Sequence, residues 1–164
     1  MRMPQVSLKN QSNMKYFTMR ELTQSATATR KGIDNTANGV IRANLTALVA
    51  NVLDPLREAY GKPIIVTSGY RCVKLNRAVG GASKSQHTKG EAVDIRSVSD
   101  TKRDNKALFN LIVKLGLPFD QLINEFDYDW IHVSFVDSRN RRSILRAYRE
   151  GGMTKYETFK PELK

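Results

Sequence analysis

Two short segments of the 164-residue chain alternate apolar and polar residues as strands buried on one side do. In Glu91 to Arg96, Val93 and Ile95 share one face, and Ala92, Asp94 and Arg96 share the other. In Trp130 to Phe135, Ile131, Val133 and Phe135 oppose Trp130, His132 and Ser134. A sheet that turns both apolar sets toward one core therefore carries Asp94 and His132 on its other surface. If the two strands are neighbours, these side chains meet, and the loop Thr88-Lys89-Gly90 lets His87 fold back beside Asp94. His87 and His132 are the only two histidines in the chain. Two imidazoles and one carboxylate make a zinc site with three protein ligands and a fourth position open for water, as in catalytic zinc. Asp94, inside an apolar run, is costly to bury without such partners.

The remaining pattern places these strands in an α+β fold, a small antiparallel sheet with flanking helices. Thr18 and Glu21 have capping-box spacing and open a short helix. The stretch from Ser25 to Gly39, rich in Ser, Thr, Asn and Gly, reads as a loop. Leu45, Leu48, Val49, Val52, Leu53 and Leu56 follow helical spacing up to Gly61, with a kink or break expected at Pro55. Pro63 to Thr67 is a buried strand that delivers Ser68-Gly69-Tyr70-Arg71. A second amphipathic helix starts near Thr101 and stops at Gly116 and Pro118. Phe119 to Phe126 and Trp130 to Phe135 form an antiparallel hairpin around an Asp127-Tyr128-Asp129 turn. Arg142, Arg146 and Arg149 would share one face of a last helix. One domain is expected over 14–150, with a flexible N-terminus (1–13) and a C-terminal tail (151–164).

A single cysteine, Cys72, excludes an intrachain disulfide and reads as a small buried residue. No apolar run reaches the length of a membrane span, and the first residues lack the apolar block of a signal peptide. Synthesis in the cytoplasm is therefore expected, with any work beyond the membrane needing another route out. The net charge of +11 favours polyanionic surroundings: nucleic acid, anionic lipid or an anionic cell wall. No zinc-finger spacing, ribonucleoprotein signature or basic heptad pattern is present, so no specific nucleic-acid partner is expected.

The pattern Ser85-x-His87-x-x-Gly90-x-Ala92-x-Asp94, followed by Trp130-x-His132 with a carboxylate three residues before the histidine, resembles the peptidase M15 family. These zinc D,D-carboxypeptidases and L,D-endopeptidases cleave bacterial peptidoglycan stem peptides. Ser68 to Arg71 and the LNRAVGG that follows resemble the family's substrate arm. The resemblance implies the hedgehog/D,D-peptidase type of fold and Zn2+ on His87, Asp94 and His132. It further implies Asp129 as the carboxylate base, where many members carry Glu, and Arg71 on the oxyanion or a substrate carboxylate. Ser85, Tyr70 and Trp130 would contact substrate, and Arg96 and the 25–38 loop could shape specificity. Length and terminus look most like a monomeric phage or prophage lytic enzyme, released to the anionic wall by a holin-type pore. Endopeptidase and D-alanyl-D-alanine carboxypeptidase both stay open, the former favoured by the basic charge. The rivals are a cysteine peptidase on Cys72, a non-catalytic zinc-containing wall-binding or phage structural module, and a nucleic-acid-binding protein.

Overall fold

The computed structural model describes residues 14–164. The expected N-terminal segment 1–13 lies outside the described residues. Six strands form one sheet in the order β1-β2-β4-β3-β5-β6: β1 (Ile64–Ser68), β2 (Ala92–Ser97), β3 (Gln121–Glu125), β4 (Trp130–Ser134), β5 (Ser143–Glu150) and β6 (Met153–Thr158). The α+β expectation holds, but the sheet is mixed, because β3 and β5 pair in parallel while every other pairing is antiparallel.

The helices are α1 (Met19–Thr23), α2 (Ala26–Lys31), α3 (Gly39–Leu48), α4 (Asp54–Tyr60), α5 (Val73–Ala78) and α6 (Lys102–Lys114). Leu45, Leu48, Val52, Leu53 and Leu56, with Leu108, Phe109 and Ile112 of α6, close one core with Val93, Ile95, Leu122, Ile131 and Val133 of the sheet. This apolar packing supplies most of the drive to fold. It also leaves the opposite sheet face for Asp94 and His132, which sit directly across from each other in the β2–β4 register.

Thr18 and Glu21 form the expected capping box on α1. At Pro55 the helix does not break. A π-helical turn, Val49–Leu53, joins α3 to α4 and absorbs the backbone hydrogen bond that proline cannot donate. The Ser25–Gly39 stretch is not all loop: the Ser25 hydroxyl accepts from the Ala28 N–H and opens α2, which Gly32 ends at φ +62°. Cys72 is half-buried, and its Sγ accepts from the Leu75 N–H at 3.4 Å to cap α5.

The arginine-rich C-terminal segment is a strand, not a helix, and the expected 151–164 tail contributes β6, which pairs with β5 along its length. Ile144, Leu145 and Tyr148 suit a helical stripe as well as a strand, and pairing with β3 and β6 decides for the strand. Part of the segment's charge is paired within the fold. Arg141 pairs with Asp120, Arg146 with Glu157 and Lys155 with Glu150.

Candidate metal centre

Three pieces of chain bring the donor group together. Ser85 caps a 3-10 turn, Gln86–Lys89, which carries His87, while β2 supplies Asp94 and β4 supplies His132. Gly90 ends the turn at φ +70°, and a Cβ there would lie 2.8 Å from the Ile41 carbonyl oxygen, so the chain can reverse into β2 only with glycine. Asp94 Oδ1 lies 3.3 Å from His87 Nε2 and 3.1 Å from His132 Nδ1. One donor atom from each residue falls within 4.8 Å of the others. Zinc bonds of about 2.0–2.2 Å in tetrahedral geometry set neighbouring donors roughly 3.3–3.6 Å apart, so the donor set fits a metal of that kind.

The surroundings orient these donors. His87, 2% exposed, turns Nδ1 to the Gly69 carbonyl at 2.7 Å, which leaves Nε2 facing Asp94. Burial pushes the Asp94 carboxyl up, but the imidazoles of His87 and His132 more than offset it and hold the group well below the usual carboxylate range. The ligand loop is tied down by Gln86, whose amide donates to Asp120 at 3.0 Å. Asp120 is itself buried and accepts from the Arg141 backbone N–H at 2.8 Å and from its guanidinium at 2.7 Å.

Gly69 is fixed by close approach rather than by φ. A Cβ at this position would lie 2.1 Å from the Leu22 carbonyl oxygen, which accepts from the Tyr70 N–H at 2.8 Å. Gly69→Ala is therefore expected to push the 69–71 backbone off α1 and the Gly69 carbonyl off His87. A loss of about 1–3 kcal/mol in thermal unfolding, with weakened metal binding, would report it. An unchanged melting curve would count against this role.

A cavity of about 740 Å³ opens onto the donor group and includes Arg71, Ser85, Trp130 and Glu125 on its walls. Arg71 is half-buried, with its Nε unpartnered among the described residues and Nη1 donating to Ser68 at 3.2 Å. Burial lowers its pKa against the pull of Asp94. Ser85 lines the cavity while its hydroxyl also accepts from the His87 N–H at 3.3 Å. Trp130 stacks on Phe126, ring centroids 5.3 Å apart.

Tyr70, expected on the substrate arm, instead packs against the core. Arg96, expected to shape specificity, leans on Asp100 outside the cavity. Asp129 is also not brought to the donor group. Phe126, Asp127 and Tyr128 all have positive φ, and this turn leaves the Asp129 carboxylate half exposed on Lys102 Nζ at 3.0 Å. It lines a neighbouring hollow instead, one that shares Phe126, Trp130 and Arg149 with the main cavity. The carboxylate that sequence reasoning missed is Glu125, 7% exposed on the cavity wall. Burial raises its pKa, His132 opposes and Asp94 reinforces, and the group is pushed up to about 7. The available signal was a glutamate two positions after Ile123, which alternation puts on the same strand face.

A helix-backed sheet that presents two imidazoles and a carboxylate to an open cleft is the framework of a metallopeptidase. The chain belongs to the Peptidase M15 family, whose model matches residues 15–134. Over 44 residues it is 50% identical to a zinc D-Ala-D-Ala carboxypeptidase of Streptomyces albus G, a match covering 26% of this chain and 17% of that enzyme. No helix among the described residues is long and apolar enough to cross a membrane.

Proposed function

We propose that the protein is a zinc-dependent endopeptidase that hydrolyses peptidoglycan stem peptides, in the manner of a phage or prophage lytic enzyme. The observation that carries the reading is the His87, Asp94 and His132 donor set on an open cavity walled by Arg71 and Glu125. When bound, zinc would polarise the scissile carbonyl and make hydroxide available near neutral pH. Arg71, with an unpartnered N–H and a planar fork, suits a substrate carboxylate or the developing oxyanion. Trp130 and Phe126 offer an apolar wall.

Cleavage within a stem is favoured over removal of its last residue because the cleft runs past the donor group on both sides. Across Arg71 it continues into a polar groove of about 860 Å³ that includes Arg20, Ser25, Thr27 and Thr67. Past Phe126 and Trp130 it joins a hollow of about 540 Å³. The net charge of +11 suits an anionic wall.

Incubation with peptidoglycan and with free stem peptides, with chelator and then zinc add-back, tests the reading by mass spectrometry. Internally cut stems, abolished by chelator and restored by zinc, are the expected products. Loss of one terminal D-alanine alone would make the enzyme a carboxypeptidase. No cleavage with any metal would leave a wall-binding module.

A further inference from the structure

We infer that Arg149 is a substrate-binding residue, which recognises a carboxylate of the stem peptide on the far side of the donor group from Arg71. The inference rests on the hydrolytic reading above. The β5–β6 hairpin lies beyond the 15–134 segment that carries the family's pattern, yet its register brings it to the cavity. Leu145 pairs with Ile123 and Ile123 with His132, and partners in register share a sheet face, so Leu145 lies on the face that carries the donors. Alternation adds Ala147 and Arg149 to that face, and pairing with β6 adds Thr154 and Tyr156. Leu145, Arg149, Thr154 and Tyr156 accordingly line the cavity of the donor group.

Arg149 stands unpaired on this wall. Arg141, Arg146 and Lys155 are taken by Asp120, Glu157 and Glu150, whereas Arg149 makes no ion pair among the described residues. Its guanidinium carbon sits 5.3 Å from the Phe126 ring centroid, and the Phe126 N–H donates to the Ala147 carbonyl at 3.1 Å, which keeps ring and cation together. A guanidinium laid on a ring leaves its N–H edges open to a planar acceptor such as a carboxylate. The cavity as a whole carries Arg71, Lys84, Arg141 and Arg149 against Asp94 and Glu125, a balance that favours an anionic peptide.

Position decides which part of the peptide Arg149 meets. In the strand order the donor strands β2 and β4 lie between β1, which leads to Arg71, and β5, which carries Arg149. Arg71 is shared by the cavity and the polar groove, and Arg149 by the cavity and the hollow past Phe126, so each stands where one extension of the cleft begins. With β3 between them, β5 is two strand spacings from β4, about 10 Å, which an extended peptide covers in about three residues. The carboxylate at Arg149 therefore belongs to a residue beyond the two that flank the cut.

The test is a set of stem peptides in which each free carboxylate in turn is replaced by the carboxamide, cleaved by the zinc-loaded full-length parent and by Arg149→Gln. One replacement is expected to lower kcat/KM of the parent by at least about tenfold, through KM, and to cost Arg149→Gln less than about twofold. Arg149→Lys, which keeps the charge and loses the planar fork, should retain part of the preference and serves if the glutamine variant folds poorly. Arg139→Gln, which removes an exposed cation outside the cavity, should retain all of it. Zinc content and circular dichroism should match the parent throughout. Carboxamide losses that persist undiminished in Arg149→Gln overturn the assignment. So does a variant impaired on whole peptidoglycan alone, the mark of a charge that docks on the wall. If the parent cuts no peptide, the hydrolytic reading fails, and calorimetric titration of the same peptides into the metal-free proteins still decides for Arg149. A preference for the carboxylate that is lost in Arg149→Gln upholds the binding role, and equal binding by both proteins overturns it.

Discussion

Protein in which His132 is replaced by alanine is expected to bind zinc at least about 100-fold more weakly and to cleave peptide no faster than background. Loss of a residue that merely orients a ligand already costs about 10–100-fold, so loss of a ligand itself costs no less. Calorimetric titration with zinc and a peptide assay check the two halves. His87→Ala should match this loss of metal and exceed it in the metal-free fold. Of the two imidazoles, His87 gives Asp94 the larger charge stabilisation, and its removal also strands the Gly69 carbonyl. Leaving a buried carboxylate short of its partner costs on the order of 3 kcal/mol. Undiminished zinc affinity in either variant would remove that histidine from the metal site.

The metal-free protein should lose stability as pH rises through the window set by Glu125. The folded chain keeps this carboxyl protonated up to about 7, whereas its ordinary value is 4.5. Between those values the native state binds more protons than the unfolded chain, so this contribution is complete below 4.5, falls as pH rises from there, and is gone once pH has passed 7. At about 1.4 kcal/mol per unit the full effect is about 3 kcal/mol. Asp94 acts in the other direction and only under acid conditions, its stabilisation being lost as pH falls below its ordinary 3.8. Urea unfolding of the metal-free parent and Glu125→Gln at pH 5 and pH 8 isolates the effect, since every other group is common to both. The parent should lose stability across the interval and the variant should not; parallel losses would exclude Glu125 as the cause.

Strand alternation makes the donor group legible from the amino-acid order alone, because a side-chain period of two assigns Asp94 and His132 to one face whatever the rest of the chain does. The same reasoning fails at Asp129. Three successive left-handed residues, from Phe126 to Tyr128, reset the backbone direction, and of the three only Asp127 is of a type that favours that region. Glu125 is reachable in principle, by carrying the hairpin register one pair beyond Ile123 and His132. The β5–β6 hairpin is not, since its stripe of Ile144, Leu145 and Tyr148 suits two periods and only the partner strands choose between them. Helices α2 and α5 are each 6 residues long, too short for periodicity, and only their caps at Ser25 and Cys72 mark them.

The ties between Gln86, Asp120 and Arg141 bear on when the enzyme becomes active as well as on where its ligands sit. As the chain is made from its N-terminus, His87 and Asp94 emerge well before His132 and the Arg141 anchor of the ligand loop. Contacts between positions this far apart form late, because the intervening chain must first surrender its freedom. A nascent chain therefore cannot assemble the centre until β4 has paired with β2. Hydrolytic competence is thus withheld from unfinished chains, a delay built into the order of the strands.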